Sequence, residues 1–291
     1  MNDDLNAPGA ALVPPTTATD AILRPRERGI GIHQLAQLLG IPREHDPALE
    51  TVTFPTRAVR ERDVLVRAGD PCDSLYVVRC GCFKTSVLDA YGGIQGTGFP
   101  MTGDVIGADG LATGAYASDA VALDHGEVVV ISVPRLGPLS RTCPAFPSML
   151  YRMISREIVR DQSVLFLLGS LCAEARVAAF LLDLSDQFGA LGYSRASFLL
   201  KMTRQDIGNY LGLTIETVSR AMSALAQAGC IDVRHRQVDI VDRARLKRIV
   251  TRSGGISLRA EDAKAARNAT AVKGRTASPG GNGADRVHVL A

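Results

Sequence analysis

The residues whose types and spacing could do chemistry lie between Met202 and Leu225, in the run MTRQDIGNYLGLTIETVSRAMSAL, which carries Glu216, Thr217, Ser219 and Arg220. On an α-helix, positions 216, 219 and 220 are separated by three and four residues and share a face. An arginine there can donate a bidentate pair to guanine O6 and N7, a glutamate can accept from cytosine N4, and a hydroxyl can contact either base. This is recognition of base edges, not bond-breaking chemistry. Glu216 and Arg220 are also an i, i+4 pair whose ordinary role is a mutual surface salt bridge. Both roles can hold, because such a pair pre-orients each partner for its base.

The surrounding residues predict the elements that would present this face. Thr203 is a good N-cap with Asp206 three residues on, and Ile207, Tyr210 and Leu211 give an apolar helical stripe. Gly212 stops that helix, and Thr214 caps a second one carrying Val218, Met222 and Leu225 on its inner side. Two short helices joined by a glycine-containing turn make a helix-turn-helix, whose second helix offers its N-terminal residues to the major groove. The following Cys230-Ile231-Asp232-Val233, the turn at Arg234-His235-Arg236 and then Gln237 to Val241 predict a hairpin with a basic tip. Arg234 and Arg236 would lie along a phosphate backbone as a wing, the alternative being a solvated basic turn.

The chain has 291 residues, 46% hydrophobic and 22% charged, with a net charge of +3, so any basic footprint must be local. No apolar run reaches the roughly 18 residues needed to span a bilayer, and the start, MNDDLNAPGA, is acidic where a secretory signal is basic, so a cytoplasmic protein without a membrane partner is expected. Cys72, Cys80, Cys82, Cys143, Cys172 and Cys230 are scattered in a way that argues against a disulfide scaffold. Residues 1–28 read as a disordered arm and 253–291 as a mobile tail. Between about 48 and 136, short runs such as Leu75 to Val78, Phe83 to Val87 and Val128 to Ile131, with Gly69, Gly81 and Gly103 at turns, predict a compact antiparallel barrel or roll. From about Pro147 the period changes. Ile154, Ile158, Asp161, Leu165 and Leu168 form a heptad-like seam on one long helix, and Phe166 and Leu167 beside it suggest a second face packed on the β domain. A further helix is expected over about 174–188.

From about residue 50 to 250 the sequence resembles the CRP/FNR superfamily of transcription regulators. Arg204, Ile207, Gly208, Leu211, Gly212, Thr214, Thr217, Ser219, Arg220 and Leu225 carry the family's helix-turn-helix pattern. IETVSR, from Ile215 to Arg220, is similar to the FNR/FixK branch, which reads DNA with a Glu, a Ser and an Arg at these spacings. The resemblance implies an α+β architecture: a β-roll over 29–143 like a cyclic-nucleotide-binding jelly roll, a dimerisation helix over 144–170 and a winged helix-turn-helix over 171–252. It further implies a homodimer on double-stranded DNA at inverted repeats of TTGAT-like half-sites, with RNA polymerase as a further partner. Glu216, Ser219 and Arg220 would then read bases, and Thr203, Arg204, Thr214, Thr217, Arg234 and Arg236 would hold the backbone. Ile154, Ile158, Asp161, Leu165 and Leu168 would meet their twofold mates, the paired Asp161 carboxylates weakening the dimer.

Departures from the family pattern bear on cofactors. GDVIGADGL, at 103–111, has Asp109 just beyond the place of the glutamate that holds a cyclic nucleotide's ribose, and the later Arg-Ser pair reads Ser118-Asp119. An aspartate there repels phosphate, which disfavours cyclic AMP. No cysteine precedes Cys72 and Val129 stands near the central ligand's place, which disfavours an FNR-type iron-sulfur cluster. No cofactor and no metal site is therefore expected. Cys80 and Cys82, two apart in a strand, would face one side and most simply be buried free thiols, a redox or metal role for these and Cys72 staying open. A regulator of the CRP type whose β domain senses a small ligand or a cyclic nucleotide is the alternative. A cupin-like barrel enzyme is a third reading, but His33, His45, His125, His235 and His288 lie far apart, and the glycines at 92–98 carry neither GKS nor G-x-S-x-G.

Overall fold

The computed structural model describes residues 29–41, 52–89 and 91–252. The expected arm over 1–28 and tail over 253–291 lie outside the described residues, as do His45 and His288. In chain order the elements of the N-terminal part are β1 Gly29–Gly31, α1 Ile32–Leu38, β2 Thr53–Val59, β3 Val64–Val66, β4 Ser74–Cys80, β5 Phe83–Leu88, β6 Ile94–Gly98, β7 Val105–Ile106, β8 Asp119–Ala122, β9 Gly126–Ser132 and α2 Leu136–Thr142. Then come α3 Ala145–Ser170 and α4 Ala173–Ala190. The C-terminal part adds β10 Ser197–Leu199, α5 Arg204–Leu211, α6 Ile215–Gln227, β11 Ile231–Arg234, β12 Gln237–Ile240 and α7 Arg243–Thr251.

The strands of the β domain form two antiparallel sheets, in the orders β1-β2-β9-β4-β7 and β3-β8-β5-β6. In β2 the alternation holds over the first four residues, Phe54 and Thr56 being buried while Thr53 and Pro55 are exposed, and shifts phase before the buried Val59. Phe54, Leu75, Val77, Val129 and Ile131 pack with Ile32 and Leu35 of α1, and Phe146, Met149 and Met153 of α3 close the same core. The turn glycines are needed where they stand. Gly81 has φ +98°, and a Cβ there would lie 2.9 Å from the Gly126 Cα. This tight corner corrects the expectation for its neighbours: the chain reverses at Gly81, so Cys80 at the end of β4 is exposed and Cys82 is buried, and they do not share a strand face.

α3 packs differently along its length. Its first turns complete the β core, whereas Val164 and Leu167 lean on the core of the C-terminal domain. Leu167 therefore does not pack on the β domain as expected, and Phe166 is 65% exposed. The rotation of α3 is fixed by two arginines. Arg160 pairs with Asp104 at 2.6 Å, and Arg156 donates to the Leu39 carbonyl at 2.8 Å. Asp104 in turn accepts from the Met101 amide at 2.9 Å, so the Gly103-Asp104 turn anchors the helix.

In the C-terminal domain, Val177, Leu181 and Leu184 of α4 pack on Val218, Met222 and Leu225 of α6 and Leu246 of α7. A three-stranded sheet, β10-β12-β11, flanks them. Cys82 and Met101 of the β domain belong to this same core, so the two domains meet through packed side chains. Across the junction Lys84 of β5 pairs with Asp206 of α5 at 2.7 Å, and Lys201 pairs with Asp124 at 2.5 Å. Phe99, Phe180 and Tyr210 meet as a tilted cluster with ring centroids 5.2 to 5.8 Å apart.

Candidate nucleic-acid interface

The helix-turn-helix is held by local capping at both starts. The Thr203 hydroxyl accepts from the Asp206 amide at 3.1 Å while the Asp206 carboxylate accepts from the Thr203 amide at 2.9 Å, a complete capping box. Gly212 closes α5 at φ +61°, in the left-handed region that favours glycine. Thr214 then caps α6, its hydroxyl accepting from the Thr217 amide at 3.3 Å. Gly208, inside α5, has a packing reason: a Cβ there would lie 2.5 Å from the Leu213 carbonyl oxygen, so the turn between the helices can close only over glycine.

α6 is strongly two-faced. Val218, Ala221, Met222 and Leu225 are buried, and Glu216, Ser219 and Arg220 are exposed together on the opposite side of the first two turns. The expected salt bridge between Glu216 and Arg220 does not form. Arg220 donates to the Thr217 hydroxyl at 3.1 Å, and the Ser219 hydroxyl donates back to the Ile215 carbonyl at 2.8 Å. Because Thr217 is three residues before Arg220 and its short hydroxyl is fixed by the cap, it captures the guanidinium ahead of the longer glutamate. The Arg220 side chain is exposed apart from this bond. Glu216's own backbone amide, the Thr214 hydroxyl and the nearby Arg220 charge hold its carboxyl below the ordinary glutamate range, so it stands as an ionised acceptor.

The expected backbone contacts fall into two groups. Arg236 is exposed in the β11–β12 turn, where His235 takes φ +56°, and Thr214 is exposed at the start of α6 with its hydroxyl already engaged by Thr217. Thr203, Thr217 and Arg234 already have partners: Thr203 is committed to its capping box, Thr217 to Thr214 and Arg220, and Arg234 to Asp232 at 2.9 Å. Arg204 is half-buried with one guanidinium nitrogen that has no partner, and burial lowers its pKa.

The α3 seam is open to solvent. Ile158 and Leu165 are 51% and 70% exposed, and Tyr151, one heptad before Ile158 and overlooked in the sequence reading, is 70% exposed. Asp161 is exposed between the partly buried Ile154 and Leu168. Partial loss of solvent on the flank of α3 raises its carboxyl against the opposing pull of Arg160. In the β domain, the Ser118 hydroxyl donates to Asp109 at 2.7 Å, and Asp119 accepts from the Ala68 amide at 2.8 Å. Asp109 and Asp119, the two carboxylates that the sequence sets against a cyclic nucleotide, thus each accept one hydrogen bond within the domain.

Other functional side chains escaped the sequence reading because they act across the domain junction. Lys84, Gln95 and Gly96 all bear on α5: besides the Lys84–Asp206 pair, a Cβ on Gly96 would lie 3.0 Å from the Tyr210 backbone. A lysine and a glycine in a hairpin carry no pattern that names a partner more than a hundred residues away.

Comparison with known proteins agrees with this geometry. Residues 175–249 match the profile of the Crp-like helix-turn-helix domain, and residues 56–142 that of the cyclic nucleotide-binding domain. The chain is 39% identical to the transcriptional regulatory protein btr of Bordetella pertussis over 212 residues, covering 73% of this chain and 88% of that one. It is 38% identical to the transcriptional activator protein anr of Pseudomonas aeruginosa, covering 72% and 85%. Among solved structures, FixK2 from Bradyrhizobium japonicum aligns with a TM-score of 0.62 and 28% identity over 68% of this chain and 98% of that one. Among the described residues, no helix is long and apolar enough to cross a membrane. With two capped helices presenting a polar face, a flanking hairpin and these relatives, the chain is a DNA-binding transcription regulator of the CRP/FNR superfamily.

Proposed function

We propose that the protein acts inside the cell as a homodimer that binds inverted repeats with TTGAT-like half-sites, without a cyclic nucleotide or an iron-sulfur cluster, and works on RNA polymerase bound nearby. The observation that carries this reading is the joint exposure of Glu216, Ser219 and Arg220 on a helix whose other face is buried. Arg220 and Glu216 are assigned to the G·C pair of the half-site, with Ser219 beside them. Arg204 and Arg236 are assigned to phosphates, joined by Thr203, Thr214, Thr217 and Arg234 once their present partners are exchanged.

The open stripe on α3 supports the dimer. Tyr151, Ile154, Ile158, Asp161, Leu165 and Leu168 alternate by three and four residues, the spacing of a two-stranded seam. A twofold pair would place two recognition helices about 34 Å apart, one turn of B-DNA. Asp161 is the one carboxylate on that seam, and bringing two together opposes association.

The test is a competition titration at fixed salt, with the unliganded protein on labelled duplexes carrying an inverted TTGAT repeat, an inverted TGTGA repeat or a scrambled sequence. Preference for the TTGAT repeat over both others without added ligand is expected. Equal affinity for all three, or binding only once cyclic AMP is added, overturns the assignment.

A further inference from the structure

A groove of about 610 Å³ runs between α3 and the C-terminal domain. Its walls include Val159, Phe166 and Leu167 of α3, Phe180 of α4, Tyr210 of α5 and Val250 of α7. Val159 and Phe166 are 61% and 65% exposed, a large apolar surface beside the seam rather than on it. The charged side chains of the walls differ in their commitments. Arg156 and Arg160 already serve the Leu39 carbonyl and Asp104. Asp183 of α4 is exposed, accepts from Gln187 at 2.6 Å and has no ion pair among the described residues. Loss of solvent raises its carboxyl against the pull of Gln187 and Arg160. The groove therefore suits an apolar occupant that also carries a cation.

We propose that the segment Ile256-Ser257-Leu258-Arg259 of the same chain docks in this groove, with Ile256 and Leu258 against Val159 and Phe166 of α3 and the Arg259 guanidinium on Asp183 of α4. α7 ends at Thr251 and Val250 is itself part of the wall, so the chain continues from the rim of the groove. Ile256 is six residues beyond Val250, a reach of at most roughly 20 Å. Gly254-Gly255 supplies the conformational freedom to turn back. In an extended segment, residues two apart point to one side and the residue between or after them to the other. Ile256 and Leu258 thus meet the apolar flank of α3 together, and Arg259 turns to the opposite wall, where Asp183 lacks a cation.

A second copy of the chain is the main rival for the groove. It is already assigned to the seam of Ile158 and Leu165, whereas Val159 and Phe166 share their groove with this chain's own α4 and α7. A short tether also gives the attached segment a local concentration on the order of millimolar, so a contact of two apolar side chains and one ion pair suffices. Docked there, the segment touches both α3 and α4 and fastens the C-terminal domain to the long helix. The proposal does not depend on which DNA sequence α6 reads.

The chain contains no tryptophan, so Phe166→Trp in the full-length protein gives a single fluorescent reporter in the groove. Acrylamide quenching of its emission is compared with that of the same variant ended after Arg252. The shorter chain should show a quenching constant at least about twofold higher and a red-shifted emission. A chain ended after Asn268, which keeps the docking segment, should show neither change. Ile256→Ser combined with Leu258→Ser should reproduce the short chain. Arg259→Asp should raise quenching in part, and adding Asp183→Arg should reverse that rise. All variants are read at two protein concentrations about a hundredfold apart, after thermal melts confirm the fold. Equal quenching with and without residues 253–291 overturns the docking, whether the reporter is open or covered in both. Protection that disappears on dilution gives the groove to a second copy and overturns it as well. Sensitivity to loss of residues 253–291 but not to the paired serine substitutions overturns the assignment to Ile256 and Leu258. A rise that Asp183→Arg leaves in place overturns the pairing of Arg259 with Asp183.

Discussion

Asp206 shows how much one side chain can hold. It closes the capping box of α5 and takes the Lys84 ammonium from the other domain. Burial alone would raise its carboxyl, but the bonds from Lys84 and Thr203 outweigh burial and leave it below the ordinary aspartate range. A carboxylate depressed in the folded state contributes stability that is fully present above its unfolded value of 3.8 and is lost as pH falls through the lower folded value. Asp206→Asn is therefore expected to cost about 2 kcal/mol at neutral pH. In urea melts the difference from wild type should vanish in strong acid, and a difference independent of pH would contradict this role. Gly208→Ala should cost about 1 to 3 kcal/mol, because the Leu213 carbonyl must move for the added methyl. Sequence made the caps legible, since Thr203, Gly212 and Thr214 act within four residues of themselves. It did not reveal that Arg220 would choose Thr217 over Glu216, which depends on a hydroxyl already fixed by Thr214, nor that the φ of Gly81 would part Cys80 from Cys82.

At the scale of elements, α3 was readable as one helix with a seam, because heptad spacing survives in any packing environment. Which neighbours its other faces would take was not readable. That depends on Arg156 and Arg160 pinning the helix to the Leu39 carbonyl and to Asp104, partners 117 and 56 residues earlier in the chain. Leu165→Asp is expected to leave the monomer folded, as the side chain is 70% exposed, and to abolish the dimer in sedimentation. Asp161→Ala should tighten the dimer at neutral pH by removing the paired carboxylates. An unchanged dissociation constant in either variant would move the interface off this face of α3.

For the whole molecule, the two domains were legible separately and their junction was not. Each has its own period: alternating runs in the β domain, helical stripes and glycine turns beyond Pro147. The junction is made by residues with no period, including Gly96 under the Tyr210 backbone and Lys84 on Asp206. Gly96→Ala should force β6 away from α5 and lower the melting temperature, with the isolated sheet pairings of β5 and β6 intact by hydrogen exchange. Loss of protection confined to β5 and β6 would instead mean that the hairpin, not the junction, needs this glycine.

The account rests on α6 reading a G·C pair through Arg220, and a double-mutant cycle measures that contact directly. Binding of wild type and Arg220→Ala is measured on the TTGAT repeat and on the same repeat with that G·C pair replaced by A·T. Arg220→Ala should lose about 1 to 3 kcal/mol on the intact repeat and almost nothing on the substituted one. Equal losses on both duplexes would show that Arg220 contributes charge alone and that the helix does not read this base.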